Sequence, residues 1–464
     1  MSASIDVFEL EYAVGTAHRL GRIAHEDWFA YLDSCRDHVG GGRFDVVAAR
    51  PHATLVTRGP TTQIESRDGI VTSEADPFSL LEEQLDATVA SVDDLPFCTG
   101  ALGYFAYDLG RRIEQLPASA TSDLDAPDMA IGIYDWAFVV DHDSERACLV
   151  SRGLRSREVE ALKSLLSVPT TLTPPAYAPA FHVHSTVRPE ITRAQYGQGF
   201  REIKRLIRDG DCYQVNFAQR FSARASGDSW HAYQQLRALN PAPYSAFLRY
   251  PAHAVLSSSP ERFIQVHDGM VETKPIKGTR PRSGDAREDQ WLAESLLNSE
   301  KDRAENLMIV DLLRNDLGRS CEIGSVEVPK LFDIESFATV HHLVSTVRGR
   351  LAEKSSASRL LRNCFPGGSI TGAPKIRAME IIESLEAYRR SIYCGSIGYL
   401  SRDGGMDTNI AIRTMMFERD RLYCWAGGGI VMDSDEDDEY QECLDKAAAM
   451  LKLFAHSETL FVGH

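Results

Sequence analysis

No apolar run in the chain approaches the roughly 20 residues that a membrane-crossing helix needs. Met1 to Glu11 carries acids and lacks the basic-then-apolar order of a signal peptide. Positive charge is in deficit: 50 Lys and Arg stand against 66 Asp and Glu, leaving a net charge of −16. That argues against nucleic acid or a membrane surface as the main partner, although a local cluster of donors can still hold a small anion. The nine cysteines are scattered singly, with no CxxC pair. Such a set reads as reduced thiols in a cytoplasmic protein rather than a disulfide framework or a zinc site. Internal repeats and low-complexity tracts are lacking as well.

What is present is ordinary globular composition. The 464 residues suffice for two or three average domains or one large one with a sizeable core. Phe44–Ala49 and Met129–Val140 are β-rich. Val168–Ser185 then brings four prolines and almost no charge, the composition of a loop. It either links an N-terminal region, 1–170, to a catalytic region, 186–458, or is a long surface loop within one intertwined domain. Beyond it, Ile191–Asp211 predicts a helix with Tyr196, Phe200, Ile203 and Ile207 on one stripe and Gly210 as its stop. Tyr213–Phe221 alternates like a strand, with Tyr213, Val215 and Phe217 on one face and Gln214 and Asn216 on the other. Helices and strands mix without a βαβ alternation, so an α+β fold is expected.

Four constellations carry chemistry. In SSSPERFIQVHDGMVETKPIKGTRPR (257–282), two strand patterns flank Asp268-Gly269, a strong hairpin signal. Strict pairing puts Glu261 opposite Ile276 and sends the Lys277 side chain to the other face. A bulge or strand end at Pro275, which cannot donate to a ladder, turns Lys277 toward Glu261. An acid beside an amine can serve as proton donor to a nucleophile, or be no more than a surface ion pair. Next, Asp302 and Glu305 on one predicted helix, and Glu439, Glu442 and Lys446 on another, are either oxygen ligands suited to Mg²⁺ or solvated helix faces.

The third constellation is glycine-rich. FPGGSITGAPK (365–375) leads into a predicted helix, Ile376–Arg389, with Pro374 in its first turn, and helix N-termini bind anions. It is not a nucleotide phosphate loop, because Ala373-Pro374 follows Gly372 where Lys-Ser/Thr is required. Gly427, Gly428 and Gly429, expected after a strand, let a backbone approach a ligand or form a tight turn. Fourth, Asn409–Phe417 reads as one strand with Ile410 and Ile412 on one face and Arg413 on the other. Arg413 wants an anion, either a ligand or a structural carboxylate. His342 is either a satisfied core histidine or a ligand contact.

Together these strings resemble the chorismate-utilising enzymes, among them the anthranilate, aminodeoxychorismate, isochorismate and salicylate synthases. The matching segments are SPERF (259–263), PIKGTRPR (275–282), AENLMIVDLLRND (304–316), HHLVSTVRG (341–349), FPGGSITGAPK, CGSIGYL (394–400), DTNIAIRT (407–414), GGGIVMDSD (427–434 and the following Asp435) and EYQECLDKA (439–447). They occur in family order. TGALGYFAYDLGRR (99–112) and GIYDWAF (132–138) resemble the N-terminal half of the aminodeoxychorismate synthases in particular. The resemblance implies the large mixed α/β sandwich of that family. Lys277 stands where anthranilate synthases usually carry alanine, and resembles the lysine that marks the aminodeoxychorismate synthases. Gln214 stands where the water-adding members carry a lysine base, and an amide cannot deprotonate water.

On that resemblance the implied catalytic residues are Lys277, a covalent nucleophile, and Glu261, the acid. Mg²⁺ is implied on Glu305 and Glu442, with Glu439 and Asp302 behind them. Arg413, Tyr393 and the Gly427–Gly429 backbone are implied to grip the enolpyruvyl side of chorismate, with Thr279, His342, Thr371 and Lys446 as further contacts. No glutamine-amidotransferase domain is recognisable, so a separate glutamine-hydrolysing subunit is the implied partner and ammonia source. Tyr31–Ser34, Gly41–Phe44 (with Gly42 and Arg43 between) and Pro243–Ser245 (with Tyr244) resemble the tryptophan pocket of the family. There the expectation is a bound tryptophan, an empty pocket, or ordinary core and turn.

Overall fold

The structure is a computed structural model and describes residues 5–39, 42–85, 89, 92, 95–167, 179–337 and 340–453. Alternating strands of apolar residues build two large antiparallel sheets. Among the described residues the first has 13 strands and runs, edge to edge, from Ile5–Leu10 through Arg146–Arg152, Trp136–Asp141, Phe44–Ala48 and Phe29–Asp33. It continues through Tyr244–Arg249, His253–Ser259, Thr414–Glu418, Arg421–Ile430 and Gln214–Ser226 to His182–Val183. The second, of 12 strands, runs from Ile276–Pro281 through Val340–Arg350, the hairpin Met270–Thr273/Arg262–His267, Met406–Asn409 and Ser396–Ser401. Gly100–Phe105, Met129–Tyr134, Ala53–Arg58, Thr61–Ser66 and Gly69–Ser73 continue it, and Glu327–Ser336, paired with Val340–Arg350, is the twelfth strand. Both sheets mix strands from before residue 168 with strands from beyond residue 185. Helices join the strands, and the fold is α+β.

The two-residue period of each strand assigns its side chains to different layers. Along Tyr244–Arg249, Ala246 and Leu248 enter the core between the sheets, while Phe247 points to the opposite face with Phe29, Tyr31 and Leu256. That outer face is covered by the helices Ser156–Leu165, Ser229–Leu239 and Glu436–Lys452, which contribute Leu162, Trp230, Tyr233 and Ala447. Inner strands of the first sheet are therefore buried on both sides, as every residue of Trp136–Asp141 and His253–Ser259 is.

The helix expected over 191–211 spans Arg193–Arg208, capped by Thr192 and Gln195, with the four stripe residues buried and Gly210 at φ +84° beyond it. Three local expectations need correction. Met129–Val140 is two strands, one in each sheet, because the chain changes layer at Asp135. The helix after FPGGSITGAPK spans Lys375–Leu385 rather than reaching Arg389: Glu386 turns extended, and its carboxylate takes Arg390 at 2.7 Å and the Ala218 amide at 2.8 Å. Gly427, Gly428 and Gly429 lie inside the strand Arg421–Ile430, paired with Ala218, Phe217 and Asn216. All nine cysteines are buried and unpaired, and no described helix is long and apolar enough to cross a membrane.

Candidate active site

Two crossings between the sheets set the site. The chain leaves the first sheet after His253–Ser259 and enters the second at Arg262, with Pro260-Glu261 between. It leaves the second sheet after Met406–Asn409 and re-enters the first at Thr414, with Ile410–Arg413 between. The crossings are stitched together. The Ile410 amide donates to the Glu261 carbonyl at 3.0 Å, and the Ser258 amide to the Arg413 carbonyl at 3.1 Å. Asn409–Phe417 is thus not the single strand expected. Arg413 adopts φ +50°, a left-handed turn that ends one pairing and begins another. The bends place Glu261 and Arg413 on the wall of one cavity of about 430 Å³.

The hairpin forms as expected, with Asp268 and Gly269 at φ 48° and 73° and Val266 opposite Val271. Its second strand ends at Thr273. After Pro275 the chain pairs instead with Val340–Arg350, and the register shifts between Ile276 and Thr279 around Gly278 at φ +78°. That break brings Lys277 into the cavity with Glu261. Lys277 Nζ donates to the Ser369 carbonyl at 3.1 Å. Burial pushes the Lys277 amine down from the usual lysine range, against the opposing pull of Glu261, Glu305 and Glu442, with Lys446 adding to the fall. Burial likewise pushes the Glu261 carboxyl up, against Lys277, the Ser369 hydroxyl and the Ile276 amide. Both shifts favour the neutral forms, an unprotonated amine and a protonated acid.

Across the cavity, Asp302 and Glu305 project from the helix Glu300–Gly318, and Glu439 and Glu442 from Glu436–Lys452. Three cations partner this group. Arg280 reaches Asp302 at 3.2 Å, Lys446 binds Glu442 at 2.7 Å, and Lys301 lies 4.0 Å from Glu439. Glu305 makes no hydrogen bond or ion pair among the described residues; burial raises its carboxyl pKa, with Asp302 and Glu439 adding repulsion. Burial and neighbouring Glu442 raise Glu439 too, although the Ser434 hydroxyl donates to it at 2.6 Å. Among the described residues no three or more His, Cys, Asp or Glu side chains group closely enough to hold a metal by themselves. A hard cation that keeps several waters and shares one or two carboxylates with an anionic substrate fits such a wall.

The anion-binding side is equally defined. The Arg413 guanidinium makes no hydrogen bond or ion pair among the described residues, and burial alone lowers its pKa. Of the two readings open in the sequence, the structural carboxylate is not found among them. His342, on the same wall, has its Nδ1 2.9 Å from the Thr279 hydroxyl, and burial beside Arg413 pushes its pKa down to about 4, so it is neutral. Tyr393 stacks on Trp425 with ring centroids 6.3 Å apart, and both line the cavity with Gly427 and Gly429.

Three expected contacts lie off the cavity wall. Gln214 is fully buried, packs against Gly429, and both its amide atoms lack a partner among the described residues. A Cβ on Gly429 would sit 2.2 Å from its Nε2, so that glycine makes room for Gln214. A Cβ on Gly428 would meet Glu439 at 2.8 Å. The Thr371 hydroxyl is turned into its own loop, onto the Gly367 carbonyl at 3.1 Å. The start of the helix at Lys375 opens on a separate depression, where Lys375 pairs with Asp316 at 2.6 Å. Conversely, Asn216, Arg280, Lys301, Ser369 and Trp425 line the cavity without having been singled out in the sequence. Lys301 adjoins Asp302, and Ser369 lies inside the glycine motif, but only tertiary structure turns them inward.

A second cavity of about 310 Å³ is lined by Gly42, Arg43, Phe44, Pro243, Tyr244 and Ser245, with Leu32 and Asp33. Ser34 lies outside its lining, bonded to Asp45 at 2.7 Å. Gly41 falls outside the described residues.

A family model described as chorismate binding enzyme matches residues 30–452. The aminodeoxychorismate synthase component 1 of Klebsiella aerogenes is 50% identical over 432 residues, covering 92% of this chain and 94% of that protein. Among solved structures, anthranilate synthase component I from Streptococcus pneumoniae TIGR4 superposes with a TM-score of 0.79 at 34% identity, over 89% of this chain and 92% of that one. The menaquinone-specific isochorismate synthase from Escherichia coli shares the fold, with a TM-score of 0.69 at 18% identity over 98% of this chain and 95% of that one. The extent of the family match and the identity to a relative covered almost end to end lead to one conclusion: the chain belongs to the chorismate-binding enzyme family.

Proposed function

We propose that the chain is the chorismate-using component of an aminodeoxychorismate synthase, converting chorismate and ammonia to 4-amino-4-deoxychorismate on the route to 4-aminobenzoate and folate. The observation that carries this reading is the pairing of Lys277 and Glu261 in one cavity, an amine and an acid both biased by burial toward their neutral forms.

The neutral Lys277 amine attacks ring C2 while the ring double bond shifts and the C4–O bond breaks. Glu261 gives its proton to the departing hydroxyl, which leaves as water. The new bond leaves Lys277 Nζ as a secondary ammonium, which can depart as a neutral amine. Ammonia then forms a bond to C4, the double bond shifts back, and the C2–N bond breaks. Glu261, now a carboxylate, takes the proton that the incoming ammonia gives up. Lys277 leaves as the neutral amine, and the sum is chorismate plus ammonia giving aminodeoxychorismate plus water. Arg413, beside neutral His342 and Thr279, takes a substrate carboxylate.

Glu305 and Glu442 would hold Mg²⁺, with Asp302 and Glu439 behind them. Half-buried Glu305, without a hydrogen bond or ion pair among the described residues, is the group that most needs a cation. When bound, Mg²⁺ supplies charge neutralisation and Lewis-acid polarisation at the ring carboxylate of chorismate. Glu305→Gln and Glu442→Gln should each raise the Mg²⁺ concentration needed for half-maximal rate by roughly tenfold or more, with folding retained. A Mg²⁺ titration of each variant checks this. Near wild-type rates at low Mg²⁺ in both would make these helices solvated faces.

Lys277 and Gln214, with the name component 1 carried by the Klebsiella relative, support a partner subunit that releases ammonia from glutamine. Tryptophan is the occupant the reading assigns to the second cavity. Purified chain with chorismate and Mg²⁺ should yield aminodeoxychorismate from ammonium salts and release no pyruvate, and should use glutamine only after a glutaminase partner is added. Anthranilate as main product, or glutamine use by the chain alone, contradicts the assignment.

A further inference from the structure

We propose that Asn216 is a positioning residue for the Lys277 amine, acting through the Ser369 carbonyl that the two side chains share. The inference rests on the reading of Lys277 as nucleophile and adds a residue to it. Asn216 Nδ2 donates to the Ser369 carbonyl at 2.8 Å, and Lys277 Nζ donates to the same oxygen at 3.1 Å. A carbonyl oxygen has two lone pairs, so one donor occupies each and their directions fix one another.

The rest of that loop is held independently. The Asn216 backbone amide donates to the Thr371 carbonyl at 2.9 Å. The buried Arg390 guanidinium, paired with Glu386 at 2.7 Å, donates to the Ile370 carbonyl at 2.9 Å and to the Asn216 carbonyl at 2.8 Å. These bonds fix the loop against the strand Gln214–Ser226 and survive any change of the Asn216 side chain. What that side chain adds is the orientation of a single carbonyl.

That orientation matters to the chemistry. A neutral primary amine has two N–H bonds and one lone pair, and it rotates about Cδ–Cε and Cε–Nζ unless held. Holding one N–H on the Ser369 carbonyl aims the lone pair in a set direction, toward the ring carbon it attacks. Ser369 meanwhile lies with Glu261 on the cavity wall, where its hydroxyl pulls the acid's pKa down against burial. One residue therefore sets the spacing between the group that forms the C2–N bond and the group that protonates the departing C4 hydroxyl. Asn216 holds the same carbonyl that Lys277 uses.

The test compares the wild type with Asn216→Asp, which keeps the size but replaces the donor by an acceptor, and with Asn216→Ala. Chorismate and Mg²⁺ are supplied with ammonia excluded, and intact-protein mass follows the rate of adduct formation against chorismate concentration. Both variants should form the adduct about tenfold to a hundredfold more slowly at saturation, the scale expected from a small misplacement of a reacting atom. The chorismate concentration for half-maximal rate should stay within about threefold of wild type, because Asn216 acts on the amine and not on ground-state binding. Melting temperatures should stay within a few degrees. Wild-type adduct rates in the variants overturn the inference. So does a loss that appears mainly in the half-saturating concentration or in the melting temperature. If the aspartate variant does not fold, the alanine variant decides. A wild type that forms no Lys277 adduct overturns the underlying reading and this inference with it, whereas a wild-type adduct with unaffected variants overturns the inference alone.

Discussion

Replacing Lys277 by alanine should lower aminodeoxychorismate formation by about three orders of magnitude or more, the usual scale for loss of a covalent nucleophile. The fold should persist, since Lys277 makes one hydrogen bond, to the Ser369 carbonyl, and burial disfavours its charge. The substitution also leaves space at ring C2. Ammonia that reaches this space attacks C2 directly, so residual turnover should drift toward the anthranilate type. Product analysis by mass checks both parts. A surface ion pair would forecast the opposite, a small loss and an unchanged product.

Glu261→Gln should cost roughly a hundredfold to ten-thousandfold in the rate of adduct formation, the range for loss of a general acid. Glutamine keeps the shape, but it has no proton to give to the C4 hydroxyl. Adduct formation and overall turnover should therefore fall together. The pH profile supplies a second readout. Adduct formation needs Lys277 unprotonated, so its rate rises with pH through the lysine's lowered pKa. It also needs Glu261 protonated, so the rate falls again as pH passes the acid's raised pKa. Lowering the first and raising the second enlarges the fraction of enzyme with both groups in the needed form. In Glu261→Gln the descending limb should vanish while the ascending one remains. A full rate of adduct formation in this variant, or an unchanged descending limb, would assign the proton donor elsewhere.

Features set by local rules were legible in the sequence. Asp268-Gly269 announced the hairpin because few other pairs accept two positive φ angles in succession. The stripe from Tyr196 to Ile207 announced a helix through its spacing alone. The carboxylates at 302, 305, 439 and 442 were assigned to two helices on the same grounds, and both helices form. What local rules do not encode is the layer to which a strand belongs. Met129–Val140 and Asn409–Phe417 each alternate smoothly, yet each is cut where the chain passes from one sheet to the other. The second cut sets Arg413 on the cavity wall, so part of the site arises from a bend that no residue pattern announces. Gly427–Gly429 read as either a close approach to a ligand or a tight turn, and the strand pairing rules out the turn, with Gly427 and Gly429 on the cavity wall. Two of the glycines also make room for residues distant in sequence, Gln214 beside Gly429 and Glu439 beside Gly428. Asn216 and Ser369 were passed over for the same reason: their roles depend on a loop 153 residues away meeting a strand.

The account stands most directly on the identity of the atom that attacks chorismate. Wild-type protein should be mixed with chorismate and Mg²⁺ while ammonia is excluded, trapped with acid, weighed intact and digested. The prediction is a protein heavier by one dehydrated chorismate, with all of the added mass on the peptide that contains Lys277. No added mass, or added mass on a different lysine, would contradict it.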